Sequence, residues 1–244
     1  MIFKAFILIG FLWTPTLFAK TANPAENLYN EAIKFQKAYR YDEAIATLEQ
    51  VKTKYPYSNF AKTSRLTIAD IHFEAKNYIQ AQYTYQAYSE LYPTDEKKDY
   101  VIFKIGESLY KQLPRGHDRD LSAAKETISI FTLHLTEFPD SIYKKDVIKL
   151  KNIVENKIDQ KEIYVAKFYF KYKHPLAALR RFQKFLTDYP QSSLVPEALA
   201  GAAYSAQKIN EDEVYEKYIA ILKSKYPKYE VPKLYTKRFV WTSL

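Results

Sequence analysis

The stretch that decides the fold is residues 60–93, FAKTSRLTIADIHFEAKNYIQAQYTYQAYSELYP, which ends on Tyr92-Pro93 and carries Ala81 and Ala69 at 12 and 24 residues before that proline. The same pairing of an aromatic residue with proline recurs at Tyr55-Pro56, Phe138-Pro139, Tyr189-Pro190 and Tyr226-Pro227. Its spacings are 93−56=37, 139−93=46, 190−139=51 and 227−190=37. Ala44 and Ala178 also lie 12 before their prolines (56−44, 190−178), and Ala32, Ala166 and Ala203 lie 24 before theirs (56−32, 190−166, 227−203). This is the register of a repeated helix-turn-helix unit. Small residues let two paired helices approach closely, and proline, which lacks an N–H and clashes with the preceding turn, ends the second helix. The chain is therefore expected to be all-α, a solenoid of five helix pairs.

Working outward, block one opens at Pro24, with an apolar stripe of Leu28, Ala32, Phe35 and Ala38-Tyr39, then Tyr41-Asp42-Glu43 starting a second helix that faces Ala44, Ile45, Leu48 and Val51 inward. Block two has helices over Phe60–Ala75 and Tyr78–Leu91; Ser58-Asn59 and Thr94-Asp95 offer N-cap groups after two of the prolines. Block three is stretched by a polar insertion, Leu113 to Asp120, and the alanine register fails there, with Arg115 and Thr127 in the two places. Block four is expected to begin with one long helix, about Tyr143 to Tyr172, roughly 45 Å at 1.5 Å per residue. Its inward stripe reads Val147, Leu150, Val154, Ile158, Tyr164-Val165 and Phe168-Tyr169, and Pro175 starts a partner facing Ala178, Leu179, Phe182 and Leu186 inward. Block five comprises Val195–Gln207 and Glu211–Tyr226, with Asn210 in the turn. The tail, 228–244, holds Pro232, Lys233, Tyr235, Lys237, Arg238, Phe239 and Trp241. It reads either as a cover for the last helix or as a basic-aromatic docking strip.

The whole chain has 244 residues, 47% of them hydrophobic and only 4 Gly, which suits long helices with a sizeable core. The formal net charge of +9 suits an acidic partner or an anionic membrane face, and equally a Lys-rich composition with no partner behind it. Cysteine is absent, which excludes disulfides, thiolate metal sites and a Cys nucleophile. His72, His117, His134 and His174 show no ligand spacing, so no metal and no cofactor is expected. Residues 1–19 read as a secretory signal: Lys4, an apolar run from Ala5 to Trp13, and Leu17-Phe18-Ala19 as a processing site. Lys20 stands where a lipoprotein box would have its Cys.

No catalytic constellation is present: there is no nucleophile elbow, phosphate loop, HExxH or EF-hand pattern, and an enzyme is not expected. Asp118-Arg119-Asp120 reads as a loop cap, with Asp120 accepting backbone N–H groups at a helix start. Binding is the better expectation. Projecting the repeat register places Tyr29, Ile33, Lys37, Asp70, Phe73, Tyr100, Phe103, Glu107 and Tyr110 on the face lined by the first helices, a groove for an extended aromatic peptide. The same aromatics equally suit packing between repeats. A second, basic surface in block four comprises Lys173, Arg180, Arg181 and Lys184, with Lys167 and Lys171 nearby; it reads either as a solvated face or as a docking surface, with Arg181 placed to pair with an acid.

These residues resemble the tetratricopeptide repeat, whose solenoids are right-handed, and more narrowly the BamD (ComL) family of the outer-membrane β-barrel assembly machinery. The narrower resemblance is carried by Leu91-Tyr92-Pro93-Thr94 with Asp99-Tyr100-Val101 and Gly106; by Asp118-Arg119-Asp120 ahead of Phe138-Pro139-Asp140-Ser141-Ile142-Tyr143; and by Glu162, Val165-Ala166, Tyr169, Ala177-Ala178, Arg181 and Asp188-Tyr189-Pro190. It implies a scaffold at the periplasmic face of the outer membrane. It implies that repeats 1–3 (20–139) receive C-terminal segments of unfolded outer-membrane proteins, and that repeats 4–5 (140–227) dock a BamA-like barrel protein. The family's mature chain begins with a lipidated Cys, and it carries a basic residue early in the fifth repeat; here Lys20 and Pro196 hold those places. The alternative of a different class is a soluble periplasmic repeat adaptor regulating a cell-wall or transport complex. Nucleic acid is not an expected partner, since an export signal removes the chain from it.

Overall fold

The computed structural model describes residues 23–116 and 119–236, and these fall into two compact units that divide after Thr67. The signal segment 1–19, Lys20, His117, Asp118 and the tail residues Lys237, Arg238, Phe239 and Trp241 lie outside the described residues. Every regular element described is helical.

The first unit holds α1 (Pro24–Lys37), α2 (Tyr41–Lys54) and the start of α3 (Asn59–Glu74). Pro24 sits in the first turn of α1 and Asn23 caps it, its Oδ1 accepting from the Ala25 N–H at 3.0 Å. The second unit continues through α4 (Tyr78–Leu91), α5 (Lys98–Gln112), α6 (Ser122–Glu137), α7 (Lys144–Lys171), α8 (Pro175–Asp188), α9 (Val195–Gln207), α10 (Asp212–Lys225) and the short α11 (Lys233–Thr236). Each helix packs on the next in sequence from α4 to α10. In addition α5 meets α7 and α7 meets α9, so the first helices of successive pairs also touch. That pattern is a stack of helix pairs.

The aromatic-proline pairs set the geometry that repeats. Tyr55, Tyr92, Phe138, Tyr189 and Tyr226 each cap the second helix of a pair, with φ between −133° and −128° and ψ between 55° and 65°. A following proline forces its predecessor out of the helical region, and the rings of Tyr92, Phe138 and Tyr189 pack back on Tyr88, His134 and Phe185 of their own helices. The turn inside each pair is equally regular. Tyr39, Lys76, Lys173 and Asn210 adopt positive φ of 58° to 65°. Each lies 17 residues before its proline (56−39, 93−76, 190−173, 227−210). Asn210 tolerates this left-handed conformation well; Tyr39, Lys76 and Lys173 hold it at a cost. Among the described residues block three has no such residue, its insertion replacing the tight turn.

The register alanines do what their size predicts: Ala32, Ala44, Ala69, Ala81, Ala166, Ala178 and Ala203 have no exposed surface. In block three Thr127 takes the alanine place, fully buried, its hydroxyl donating to the Ala123 carbonyl at 2.7 Å. Close approach passes instead to two glycines. An added Cβ on Gly106 would lie 2.5 Å from the Phe131 ring, and one on Gly201 would lie 2.3 Å from the Phe182 ring. Both phenylalanines sit 8 residues before their prolines (139−131, 190−182) and press flat on a neighbouring helix backbone.

Helix α7 is long because it serves two pairs. Its first half packs Val147 against Phe103 and Phe131, and Val154 against Leu121 and Ala124. Its second half packs Ile163, Ala166 and Phe170 into the last core with α8 and α9. The inward stripe expected for this half is corrected: Tyr164 and Phe168 are 45% and 46% exposed, while Ile163, Ala166 and Phe170 face the core. α11 closes the same core. Tyr235 is buried, stacked on Tyr204 at 6.3 Å and edge-on to Phe170 at 5.1 Å and Phe182 at 6.0 Å, so this part of the tail is a cover.

Candidate binding site and docking surface

The residues assigned to the groove divide between the two units. In the first, Tyr29 is half-buried, its hydroxyl 3.2 Å from Thr67 Oγ1 and its ring 5.6 Å from Phe60. Ile33 is half-buried beside it on α1 and Lys37 is exposed at the helix end.

In the second unit Asp70 is a node. Its Oδ1 accepts from the hydroxyls of Tyr85 at 2.6 Å and Tyr100 at 2.7 Å, which ties α3 to α4 and α5. Burial raises the Asp70 pKa, and the two hydroxyl donors and Lys104 oppose that rise. Burial, followed by the Asp70 charge, pushes the Tyr85 and Tyr100 phenols far up, so both remain protonated donors. From there an aromatic ladder runs onward. Tyr85 meets Tyr100 edge-on at 6.3 Å, Tyr100 meets Tyr143 at 5.9 Å, and Tyr143 stacks on Phe103 at 4.8 Å with planes 8° apart. Phe103 is thereby a core residue rather than an open groove wall.

Below the ladder, Asp99 accepts from Ser141 Oγ at 2.8 Å and lies 2.6 Å from Nε2 of the buried His134, and Ser141 Oγ accepts from the Tyr143 N–H at 2.9 Å. This pins the turn after Pro139 to α5. Phe73 carries the Lys104 ammonium over its ring at 3.2 Å and meets Tyr78 edge-on at 5.3 Å; Lys104 also pairs with Glu107 at 2.8 Å. Tyr110 lines a cavity of about 460 Å³ with Tyr78, Lys111, Leu113, Pro114, Arg115 and Lys157.

The structure thus brings Asp70, Phe73, Tyr100, Phe103, Glu107 and Tyr110 into one polar-aromatic region and adds Tyr85, Lys104, Tyr143, Asp99 and His134 to it. Spacing marks only the place of Tyr85 on its helix: it sits 8 before Pro93, as Phe131 and Phe182 do before their prolines. The carboxylate at the centre takes both phenol hydroxyls on Oδ1.

On the basic surface the cations are largely matched internally. Arg181 reaches Glu162 at 4.0 Å, Lys184 pairs with Asp188 at 2.6 Å and Lys167 with Glu197 at 2.6 Å. Asp188 holds the exposed Lys184 ammonium above its usual pKa. Lys173 occupies the positive-φ turn, and Arg180 is exposed on α8. Pro196 lies in the first turn of α9, where its missing N–H is harmless. Asp120 Oδ1 accepts from the Ser122 N–H at 2.9 Å, the cap expected of it. Among the described residues no cluster of His, Asp and Glu has the makings of a metal site, and no helix is long and apolar enough to cross a membrane.

Comparison with known proteins gives a consistent answer. The BamD outer membrane protein assembly factor of Pasteurella multocida is 24% identical over 210 residues, which span 82% of this chain and 81% of that protein. The BamD of Neisseria meningitidis serogroup A is 26% identical over 83% of this chain and 79% of its own. That of Caulobacter vibrioides is 23% identical over 84% and 67%. Residues 21–220, all five repeats but for the end of the last, match the model of the family described as YfiO, outer membrane lipoprotein. The chain belongs to the YfiO family.

Proposed function

We propose that this protein is a non-enzymatic scaffold of the outer-membrane β-barrel assembly machinery, working at the periplasmic face of the outer membrane. In this reading repeats 4–5 dock a BamA-like barrel protein, and repeats 1–3 receive C-terminal segments of unfolded outer-membrane proteins. The observation that carries it is the family match across residues 21–220, joined to relatives named as assembly factors over most of their own length. The site geometry supports binding over catalysis: Asp70 is engaged by two phenols, and Phe73 and Tyr100 present half-buried ring edges suited to aromatic side chains. For the client, the residues proposed in the second unit are Asp70, Phe73, Tyr100, Glu107 and Tyr110, and in the first unit, by itself, Tyr29, Ile33 and Lys37 on α1. For the partner they are Lys173, Arg180, Arg181 and Lys184. Glu162 and Asp188 hold two of these cations in place, so a partner carboxylate would share them rather than meet bare charge.

Client binding is tested by Phe73→Ala with Tyr100→Phe, using fluorescence anisotropy of a labelled barrel peptide with an aromatic C terminus. The account expects roughly tenfold weaker binding with the fold retained. Unchanged affinity in a folded double variant contradicts the client assignment. Depletion in cells separates the alternatives: loss of outer-membrane barrels supports the assembly role, and a wall or septation defect with normal barrels supports a periplasmic adaptor.

A further inference from the structure

Three cations meet at the cavity past the end of α5: Lys111 on the helix, Arg115 on the loop that follows, and Lys157 on α7. The rest of its lining is Tyr78, Tyr110, Leu113 and Pro114, with no carboxylate. Lys157 donates to the carbonyls of Pro114 and Arg115 at 2.7 and 2.8 Å, which leaves one N–H of its ammonium, and the Lys111 ammonium lies 5.9 Å from the Tyr110 ring. Among the described residues none of the three forms an ion pair. The neighbouring acids are engaged elsewhere. Glu107 pairs with Lys104 at 2.8 Å and Glu155 with Lys151 at 2.6 Å; Glu126 lies 3.5 Å from Gln82, and Asp120 caps α6 at the Ser122 N–H. Glu74, four residues before Tyr78, acts on Asp70 and helps to raise its pKa. The α5 C-terminus adds only about half a negative charge. The block-four surface is different, for there Arg181, Lys184 and Lys167 each have an acid.

We infer that this cavity binds an acidic peptide segment of a partner protein, with one large apolar side chain inside it and flanking carboxylates on Lys111, Arg115 and Lys157. A cleft lined by one sign of charge with apolar walls concentrates the field within it, so an anion is the ligand it favours. The walls are held in place before anything binds. Tyr110 and Leu113 pack on the buried cluster of Leu121, Ala124 and Val154, and Gln112 Nε2 donates to Gln82 Oε1 at 2.8 Å and to the Tyr78 carbonyl at 3.4 Å. At about 460 Å³ the cavity has the size of a ligand site and too little room for the acyl chains of a lipid. Its lining is as much aromatic and aliphatic as charged, so the anion carries an apolar body, which free phosphate lacks. Three cations on two elements outnumber the single charge of a chain terminus and suit several carboxylates spread along a segment. The inference rests on the client reading in that Tyr110 belongs to that face, and it adds a requirement for negative charge in the bound segment.

The test is fluorescence anisotropy with the full-length protein and a labelled peptide, amidated at its C terminus, in which tryptophan is flanked on each side by two glutamates. The comparison ligands are the same peptide with glutamines for glutamates, a neutral peptide with a free C-terminal phenylalanine, and phosphatidylglycerol vesicles. The inference expects the acidic peptide to bind about tenfold more tightly than the glutamine peptide, and to weaken about tenfold when Lys111→Gln and Arg115→Gln are combined. It also expects binding to fall as salt rises. Lys111 and Arg115 are exposed, so the fold is expected to survive, and circular dichroism checks it. Equal binding of the glutamine peptide overturns the inference, as does an affinity indifferent to the double substitution. So does a response to that substitution seen only with the free C terminus or only with vesicles. The aromatic-ended barrel peptide tested against Phe73→Ala with Tyr100→Phe separates this inference from the client reading. If that peptide weakens while the acidic peptide ignores Lys111→Gln with Arg115→Gln, this inference falls and the client reading stands; the reverse pattern removes Phe73 and Tyr100 from the client site and leaves the cavity as the acidic-peptide site.

Discussion

Replacing Asp70 by alanine and by asparagine separates its two duties, as an acceptor and as a buried charge. Both phenols converge on the same oxygen, Oδ1. In Asp70→Ala the Tyr85 hydroxyl, on a residue with no exposed surface, loses its acceptor with no water to replace it, a cost of about 1–3 kcal/mol. The Tyr100 hydroxyl is half-buried and is partly rehydrated, adding less than about 1 kcal/mol. Removing a carboxylate that burial disfavours offsets part of this, and the net loss is about 2 kcal/mol. For a unit of this size that lowers Tm by about 4–8 °C. Asp70→Asn keeps an acceptor oxygen at the same place and is expected to lose less than about 1 kcal/mol.

The sign of the pH effect follows. The Asp70 pKa in the folded chain is above its ordinary value of 3.8, so the folded state holds this proton longer than the unfolded state. Its contribution to stability is greatest below pH 3.8 and declines as pH rises through the folded-state pKa. The Asn variant lacks that slope, so the advantage of the wild type over it shrinks from acid toward neutral pH. Urea unfolding followed by circular dichroism between pH 4 and 7 measures all three proteins. An Ala variant within about 0.5 kcal/mol of wild type, or an Asn variant as damaged as the Ala variant, refutes the node.

Other expectations are shorter. Gly201→Ala sets a methyl 2.3 Å from the Phe182 ring and is expected to cost about 1–3 kcal/mol in urea unfolding, with Gly106→Ala against Phe131 similar. Adding Phe182→Leu to Gly201→Ala recovers part of the loss if the ring is the cause. Asn210→Ala places a Cβ-bearing residue less suited to φ 61° in the last turn, and a loss of about 1 kcal/mol is expected by the same assay. Tyr235→Ala opens the last core where Tyr204, Phe170 and Phe182 meet, a loss of about 3–5 kcal/mol; unchanged stability shows that the tail is not a cover.

The fold was legible because its determinants are local. Tyr-Pro and Phe-Pro pairs act on their own backbone, and the register alanines mark close approach at fixed spacing, so helix ends came out within a residue or two. What was not legible depends on partners far along the chain. Phe103 belongs to the first helix of its pair and so was assigned to the groove, but stacking by Tyr143, 40 residues on (143−103), buries it. Tyr85 donates to Asp70 because α4 folds back on α3, a contact that residue spacing alone does not reveal. In α7 an apolar stripe alone did not distinguish the face that Ile163, Ala166 and Phe170 turn to the core from the half-exposed face of Tyr164 and Phe168. Tyr164 and Phe168 look as inward as Val165 and Tyr169 until the end of block three is known.

The central claim is that this chain is an assembly scaffold that works by holding a barrel-assembly partner. Affinity purification of the full-length protein from crosslinked, intact envelope, with the bound proteins identified by mass spectrometry, tests it most directly. The account predicts a BamA-like barrel protein as the major partner in the outer-membrane fraction, together with unfolded-barrel segments. Recovery from the soluble periplasmic fraction with no such partner contradicts it.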